Sequence, residues 1–212
     1  PIPAGRIKTS SALMFGAALI IIGLAGLLVQ INFLTFILGI LSVISYLLIY
    51  TPLKRKTHFA VYAGAVPGAL PPVLGYTSIT NNLDLMSASL FLILFCWQIP
   101  HFLAISIYQS KDYADGKIMV YPNVKGVEKT RIIMVVYAFL TCVFAGLPYF
   151  LGFSGLYFLI FGLVLGMGFI YINSKNISHI LDKKVELDRW AKKCFFASII
   201  YLPLLFGLMV VF

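Results

Sequence analysis

The chain has 212 residues, of which 61% are hydrophobic and 11% are charged, and its formal net charge is +9. A water-soluble domain needs more charge to cover its surface, so the composition excludes that class and predicts a polytopic membrane protein. The three cysteines, Cys96, Cys142 and Cys194, lie far apart in apolar segments, which excludes a disulfide framework or a Cys-x-x-Cys metal site.

Seven apolar segments are long enough to be transmembrane helices, which need about 20 largely apolar residues. Their predicted ranges are 12–29, 33–50, 59–79, 85–108, 132–151, 156–172 and 190–212. The apolar runs are continuous rather than alternating, as in helices and not in β-barrel strands. We therefore predict an all-α membrane helix bundle that forms a single domain over residues 1–212.

The positive charges divide the connections into two sets. All sixteen Lys and Arg residues lie before the first span or in every second connection after it, where Lys192 and Lys193 are at the junction with the seventh span, and the alternate connections have none. By the positive-inside rule, the charged connections are cytoplasmic, as expected of a multi-pass protein of the cell (inner) membrane. The net charge is thus explained by topology and anionic lipid, and it gives no support for nucleic-acid binding.

The third span contains three prolines, Pro67, Pro71 and Pro72. They predict a broken helix, which is tolerated in lipid only where protein buries it or where it lines a cavity. Small residues would also let another helix or a bulky flat ligand approach closely. A cavity wall and a kinked packing helix both fit this pattern. The glycines that would form such a wall are Gly64, Gly68 and Gly75.

The fourth span carries a histidine, His101, directly after Pro100. Helical spacing places Trp97, His101 and Tyr108 on a similar face, and a further turn of helix would extend this stripe to Asp112. Ionisable residues at membrane depth are costly and commonly functional. The alternative is a buried histidine that is hydrogen-bonded to a neighbouring helix.

The connection after this span opens with Lys111, Asp112 and Asp115. If the helix continues by one turn, both carboxylates face the same side and can share a Mg²⁺ that also binds phosphate oxygens. Lys111 can hold phosphate as a point charge. The stretch therefore suits a metal-bound, phosphate-bearing ligand with an apolar tail.

A second basic cluster, Lys54-Arg55-Lys56, follows the second span. The guanidinium of Arg55 could bind a diphosphate with two parallel hydrogen bonds. An ordinary topology-setting cluster is the alternative.

Three segments together resemble the protoheme IX farnesyltransferases, a family of UbiA-type intramembrane prenyltransferases. These segments are Y-T-P-L-K-R-K-T, G-A-V-P-G-A-L-P-P-V-L-G-Y and W-Q-I-P-H-F-L-A-I-S-I-Y-Q-S-K-D-Y-A-D-G-K-I. The opening P-I-P-A-G-R-I is also similar to the stretch that follows the family's first aspartate-rich motif. Residues 118–122 depart from the family's I-P-M-L-P pattern by the loss of one proline.

The resemblance implies nine transmembrane helices, of which this chain would hold the last seven, without the first aspartate-rich motif. In such enzymes Mg²⁺-diphosphate lies between two aspartate-rich motifs. The second motif corresponds here to Tyr108, Lys111 and Asp112. The motif does not require an acid at Asp115, so we weight Asp112 more strongly as a metal ligand.

The implied reaction transfers a farnesyl group from farnesyl diphosphate to a vinyl group of haem b, and water completes the hydroxyethylfarnesyl group of haem O. Haem b is a substrate here, not a permanent cofactor. Mg²⁺ and four cations would stabilise the departing pyrophosphate. These cations are Lys54, Arg55, Lys111 and Arg6.

The same resemblance suggests roles for aromatic residues and for His101. Trp97, Tyr108 and Tyr50 would stabilise the allylic cation through their ring faces. His101 would orient the haem or ligate its iron. Haem A synthase or the terminal oxidase assembly are suggested as partners, besides the lipid bilayer.

Two other functions fit parts of the pattern. A prenyltransferase that acts on an aromatic quinone precursor would share the bundle and the diphosphate site. A secondary transporter also uses broken helices and intramembrane ionisable groups. However, the acids of this chain cluster at the end of a span rather than at its middle.

Overall fold

The computed structural model describes residue 2 and residues 4–212, so that Pro1 and Pro3 of the opening segment lie outside the described residues. The described residues form helices joined by short connections, without any strand. The helices are α1 (Thr9–Gly26, continued by a π-helical turn, Leu27–Ile31), α2 (Phe33–Ile44, continued by a π-helical turn, Ser45–Tyr50), α3 (Thr51–Leu53), α4 (Ala60–Thr80), α5 (Leu85–Tyr108), α6 (Ser110–Asp115), α7 (Tyr121–Lys125), α8 (Val127–Ala145), α9 (Leu147–Phe150), α10 (Leu156–Ser174), a 3₁₀ turn (Ser178–Ile180) and α11 (Lys184–Val211).

Helix α5 is the centre of the bundle, since α4, α8 and α11 all pack against it. Its side chains Ile93, Ile99 and Ala104 are completely inaccessible to solvent. Burial on three sides explains why α5 is apolar around most of its circumference. Any polar residue on α5 must therefore find a partner on a neighbouring helix or face a cavity.

The prediction of a helical membrane protein is confirmed. Six helical segments are long and apolar enough to cross a membrane: Thr9–Ile31, Phe33–Leu53, Leu85–Tyr108, Val127–Phe150, Leu156–Ser174 and Lys184–Val211. The remaining predicted span corresponds to α4, which has 21 residues but is rich in alanine, glycine and proline. It is thus long enough, but it is less apolar than the other six.

The prediction that the third span is broken is wrong. Helix α4 is continuous through Pro67, Pro71 and Pro72. Each proline removes one backbone donor, but α4 packs between α2 and α5, and neighbouring helices can support a proline-containing helix in a membrane. Packing against neighbouring helices therefore keeps α4 continuous, although proline by itself disfavours a helix.

The predicted fourth span ends at Tyr108, as α5 does, and the further turn that would extend the stripe to Asp112 is absent from α5. The helix stops at Gln109, whose ψ of 20° departs from helical geometry, and the separate helix α6 follows. The stripe predicted from Trp97 to Asp112 is therefore interrupted before it reaches the carboxylate.

The charged connections 54–59, 109–126 and 175–183 meet at one end of the bundle, which we call the basic end. The ammonium of Lys184 lies 3.2 Å from Ser110 Oγ. The guanidinium of Arg131 donates to the carbonyl of Ser174 at 3.0 Å. At the opposite end, Asn32 caps α2 and donates to the carbonyl of Thr77 at 2.9 Å. The helices thus alternate in direction, as the charge pattern requires.

Candidate functional site

A cavity of about 660 Å³ opens between α2, α4, α5 and the α6–α7 segment. This volume is within the range of ligand-binding pockets, roughly 300–1,000 Å³. Most of its surface is apolar, and its polar groups are a few amide, hydroxyl, imidazole and ammonium groups. It is lined by Ile20, Ser42, Val43, Tyr46, Leu47, Tyr50, Lys54, His58, Ala60, Val61, Gly64, Pro67, Gly68, Gln98, Phe102, Leu103, Ser106, Tyr113, Ile118, Met119, Val120 and Tyr121.

Two glycines of α4 form part of the cavity wall. The ring of Tyr50 packs directly on Gly64, where an added Cβ would lie 2.8 Å from Tyr50 Cε2. The carboxamide of Gln98 packs in the same way against Gly68. Gly75, by contrast, has open space around its Cα. Gly64 and Gly68 therefore leave room for the side chains of Tyr50 and Gln98. Of the three glycines, these two line the cavity and Gly75 does not.

Lys54 and His58 lie where the cavity reaches the basic end. The Lys54 ammonium is 5.6 Å from the centroid of the Tyr50 ring, within cation–π range. The His58 ring contacts Phe59 and the edge of Tyr121, with centroid distances of 4.2 and 5.2 Å. Burial lowers the pKa of His58, and the charge of Lys125 lowers it further. Lys54 is thus the cation of the cavity lining, beside a neutral imidazole.

Helix α6 is held in place by two side chains from other segments. Lys184 donates to the carbonyl of Ile107 at 3.3 Å and to Ser110 Oγ at 3.2 Å. Asn123 donates to the backbone carbonyl of Ser110 at 2.9 Å. In this position α6 directs Tyr113 into the cavity. Burial raises the pKa of Tyr113, so its hydroxyl stays protonated at neutral pH and can donate a hydrogen bond.

The predicted metal ligands Asp112 and Asp115 lie on α6, on either side of Tyr113, and both are exposed. Neither forms an ion pair with another described residue. No group of three or more His, Cys, Asp or Glu side chains that could hold a metal occurs in the described part of the chain. Carboxylates are the type of ligand by which Mg²⁺ is commonly held, one or two of them together with water and substrate phosphates.

Trp97 and His101 face α11 and are not part of the cavity lining. His101 Nδ1 lies 2.8 Å from Ser198 Oγ, and the Trp97 indole donates to the Ser198 carbonyl, also at 2.8 Å. The two rings stack with centroids 4.8 Å apart. The structure therefore ties this histidine to a neighbouring helix, which was the alternative interpretation of its sequence position.

Tyr108 also faces α11. The ammonium of Lys192 lies 5.7 Å from the centroid of its ring, and Phe195 meets it edge-on at 6.0 Å. Because Lys192 already lies over this ring, Tyr108 is less available to a second cation than Tyr50 is. The exposed cations Arg6, Arg55 and Lys111 lie outside the cavity lining.

The lining residues that were not selected from the sequence include Tyr46, His58, Gln98, Phe102 and Tyr113. The sequence did distinguish two of them from their neighbours. Gln98 is a polar residue inside an apolar span, and Tyr113 directly follows the aspartate of the predicted motif. The others become visible only when α2, α4 and α5 are packed together.

Comparison with known proteins identifies a family. The profile of the UbiA prenyltransferase family matches residues 1–207. The protoheme IX farnesyltransferase of Myxococcus xanthus is 37% identical over 98% of this chain and 69% of its own length. That of Sorangium cellulosum is 39% identical over the whole chain and 74% of its own length. That of Solibacter usitatus is 37% identical over 99% of the chain and 70% of its own length.

A solved structure supports the fold. It comes from work on digeranylgeranylglyceryl phosphate synthase in membranes and covers 99% of this chain and 72% of its own, with a TM-score of 0.74. The sequences are 22% identical, so the likeness concerns the arrangement of the helices alone.

Proposed function

The chain belongs to the UbiA prenyltransferase family, and from this premise we propose that it transfers a farnesyl group from farnesyl diphosphate to a vinyl group of haem b. Relatives named protoheme IX farnesyltransferase, 36–39% identical to this chain, support this choice of substrates. The observation that carries the proposal is an apolar, aromatic cavity with Lys54 and helix α6 at its basic end. Such a site suits a ligand with a charged head and an apolar tail.

The first step is departure of diphosphate from the farnesyl C1 atom. Lys54 and the Tyr113 hydroxyl would bind diphosphate oxygens where the cavity reaches the basic end, and Arg55, Lys111 and Arg6 would add positive charge around them. Asp112 and Asp115 would hold Mg²⁺, which neutralises the charge of the leaving group when it is bound. Stabilisation of the leaving group by fixed charges is the main catalytic contribution that we assign to this chain.

The second requirement is to stabilise the allylic cation in a cavity with little water. The ring of Tyr50, fixed on Gly64, lines the cavity together with Tyr46 and Phe102. The face of an aromatic ring attracts a cation by about 2 kcal/mol when both are desolvated. Of the aromatic residues predicted for this role, Tyr50 has the position that suits it. Trp97 and Tyr108 face α11, where they would shape the site indirectly.

The haem would lie beside the farnesyl chain, with its reacting vinyl group near the allylic carbon. His101 does not line the cavity, so we propose that it ligates the iron of the haem, or orients the haem, from the side of α5 that faces α11. The basic end would face the cytoplasm, in the inner membrane, because all Lys and Arg residues belong to its connections, to the first turns of α8 and α11 or to the segment before α1. Delivery of the product to haem A synthase or to the terminal oxidase assembly would follow from this location.

The test is to incubate the purified protein in lipid with farnesyl diphosphate, Mg²⁺ and haem b, and to analyse the haem fraction by mass spectrometry. A parallel reaction contains 4-hydroxybenzoate in place of haem b. We expect farnesylated haem in the first reaction and no prenylated product in the second. Prenylation of 4-hydroxybenzoate without prenylation of haem would refute the proposed acceptor.

A further inference from the structure

One polar side chain in the cavity has no role in binding diphosphate. Gln98 lies within the membrane-spanning helix α5 and is only 4% exposed. A carboxamide that is buried without hydrogen bonds costs several kcal/mol, so buried amides are normally fully paired. Gln98 lines the cavity, and the way in which it is paired indicates what it can bind there.

The two ends of this carboxamide differ. Its Nε2 donates to the carbonyl of Leu94 at 3.0 Å and to that of Ala65 at 3.4 Å. Both acceptors are backbone oxygens, so the network itself assigns the nitrogen to this side. The Oε1 atom accepts no hydrogen bond from any described residue. The amide is therefore anchored through its nitrogen, and its oxygen has two unused lone pairs.

Gly68 fixes where this oxygen lies. A Cβ atom at position 68 would collide with Gln98 Oε1. Gly68 and Gln98 both line the cavity, so the oxygen lies at its wall. The anchored nitrogen prevents the amide from swinging away at low cost. The arrangement is a hydrogen-bond acceptor held in a fixed position inside an apolar cavity.

We propose that Gln98 Oε1 is a positioning group for the water molecule that completes the reaction, an inference that rests on the proposed function. The π electrons of the vinyl group form the new C–C bond to farnesyl C1 and leave a cation on the carbon attached to the macrocycle. Water, donating one hydrogen bond to Oε1, directs its own lone pair at this carbon and forms the C–O bond. The released proton passes to the diphosphate ion, which is a stronger base than an amide.

A neutral carboxamide suits this role chemically. Its oxygen is the negative end of a dipole, which stabilises a nearby cation without forming an ion pair. A carboxylate in this position would itself capture the cation and form an ester. Without an acceptor, the cation would instead lose a proton to diphosphate and give an alkene. The ratio of alcohol to alkene in the prenylated haem thus reports on Gln98.

The experiment measures this ratio by mass spectrometry, with H₂¹⁸O in the buffer to identify the added oxygen. Wild type is expected to give the ¹⁸O-labelled alcohol. Gln98→Leu keeps the side-chain size but removes the acceptor, and should raise the alkene-to-alcohol ratio at least tenfold. An unchanged ratio would overturn the proposal.

Two further variants separate positioning from folding. Gly68→Ala keeps the glutamine but displaces its oxygen, and should shift the ratio in the same direction. Gly75→Ala, on the same helix but with open space around it, should give the wild-type ratio. If Gln98→Leu makes no product, the Gly68→Ala ratio decides the question. If wild type itself forms no prenylated haem, the proposed function is refuted. If prenylated haem forms but the alkene-to-alcohol ratio is the same in the variants, only the role of Gln98 is refuted.

Discussion

The Nδ1 atom of His101 lies 2.8 Å from the hydroxyl oxygen of Ser198 on α11. That hydroxyl donates its hydrogen to the carbonyl of Phe195 at 2.5 Å, so it must accept a hydrogen bond from Nδ1–H. The proton of a neutral imidazole is thereby fixed on Nδ1, and Nε2 remains an open base. An imidazole fixed in this tautomer can ligate iron through Nε2.

From this relationship we predict that His101→Ala abolishes or strongly weakens haem binding, measured by absorbance titration. Ser198→Ala should weaken it roughly tenfold or more, because loss of a group that orients a metal ligand typically costs that much. Ser89→Ala is the matched control, since this buried serine bonds only within its own helix, to Met86. Unchanged haem affinity in His101→Ala would remove the proposed role of this histidine.

The packing of Tyr50 on Gly64 gives a second prediction. A methyl group at position 64 would lie 2.8 Å from the Tyr50 ring, so Gly64→Ala must displace the ring from its present position in the cavity wall. We expect the rate of farnesyl transfer to fall about tenfold, since the cation–π contribution of up to about 2 kcal/mol would be largely lost. Single-turnover kinetics measure this rate. A rate in Gly64→Ala equal to that in Gly75→Ala, where the methyl group has free space, would argue against a role for Tyr50.

The position of Lys54 predicts an effect on binding of the diphosphate. Lys54→Met removes a charge-assisted hydrogen bond, commonly worth about 1.5–3 kcal/mol, so KM for farnesyl diphosphate should rise about tenfold or more. Lys54→Arg should restore part of the affinity. The exposed neighbour Lys56 provides the control, since it does not line the cavity. If Lys56→Met and Lys54→Met change KM equally, only the general charge of the cluster matters.

His58 predicts a pH dependence of stability. Burial, and then the charge of Lys125, hold the pKa of His58 below its usual value, so the folded state disfavours the protonated form. A lowered pKa means that this stability is fully present above the unfolded-state pKa of about 6.5 and is lost as the pH falls toward the folded-state value. The melting temperature should thus fall on acidification below about pH 6.5. His58→Phe should make the melting temperature depend less on pH in this range.

The exposed His179 allows a matched control for that measurement. The variant His179→Phe should retain the wild-type dependence of melting temperature on pH. If the melting temperature of His58→Phe depends on pH as strongly as that of wild type, other groups cause the acid sensitivity.

The predicted and observed helix boundaries agree best where the apolar character of the residues alone sets the boundary. The range predicted for the central span, 85–108, is that of α5, because Asp84 caps its start through Ser87 and the apolar run ends at Tyr108. Agreement is poorer where polar residues continue a helix. Helix α11 begins at Lys184 and not at residue 190, since Lys184 pairs with Asp188 one turn later at 2.8 Å. Hydropathy does not detect such a turn.

The site was only partly predictable for a similar reason. Spacing on a helix correctly groups Trp97 with His101, but it does not say which neighbouring helix they face, and their partner Ser198 on α11 lies 97 residues from His101 in sequence. Tyr50, Gly64 and Gly68 come together through packing between helices. Residue type alone indicated that Gly64 and Gly68 could form a cavity wall. Only the structure shows which side chains pack against them.

Asp112, through a divalent cation, is proposed to stabilise the departing diphosphate, and this role is tested by the rate of farnesyl transfer in Asp112→Asn with and without divalent ions. We expect Asp112→Asn to lose roughly 100-fold or more in kcat/KM, as for removal of other groups that stabilise developing charge. Asp115→Asn should lose less. Wild type should lose activity in a chelator and regain it with Mg²⁺. Undiminished product from Asp112→Asn, or from wild type stripped of divalent ions, would show that Asp112 and a divalent cation do not stabilise the departing diphosphate.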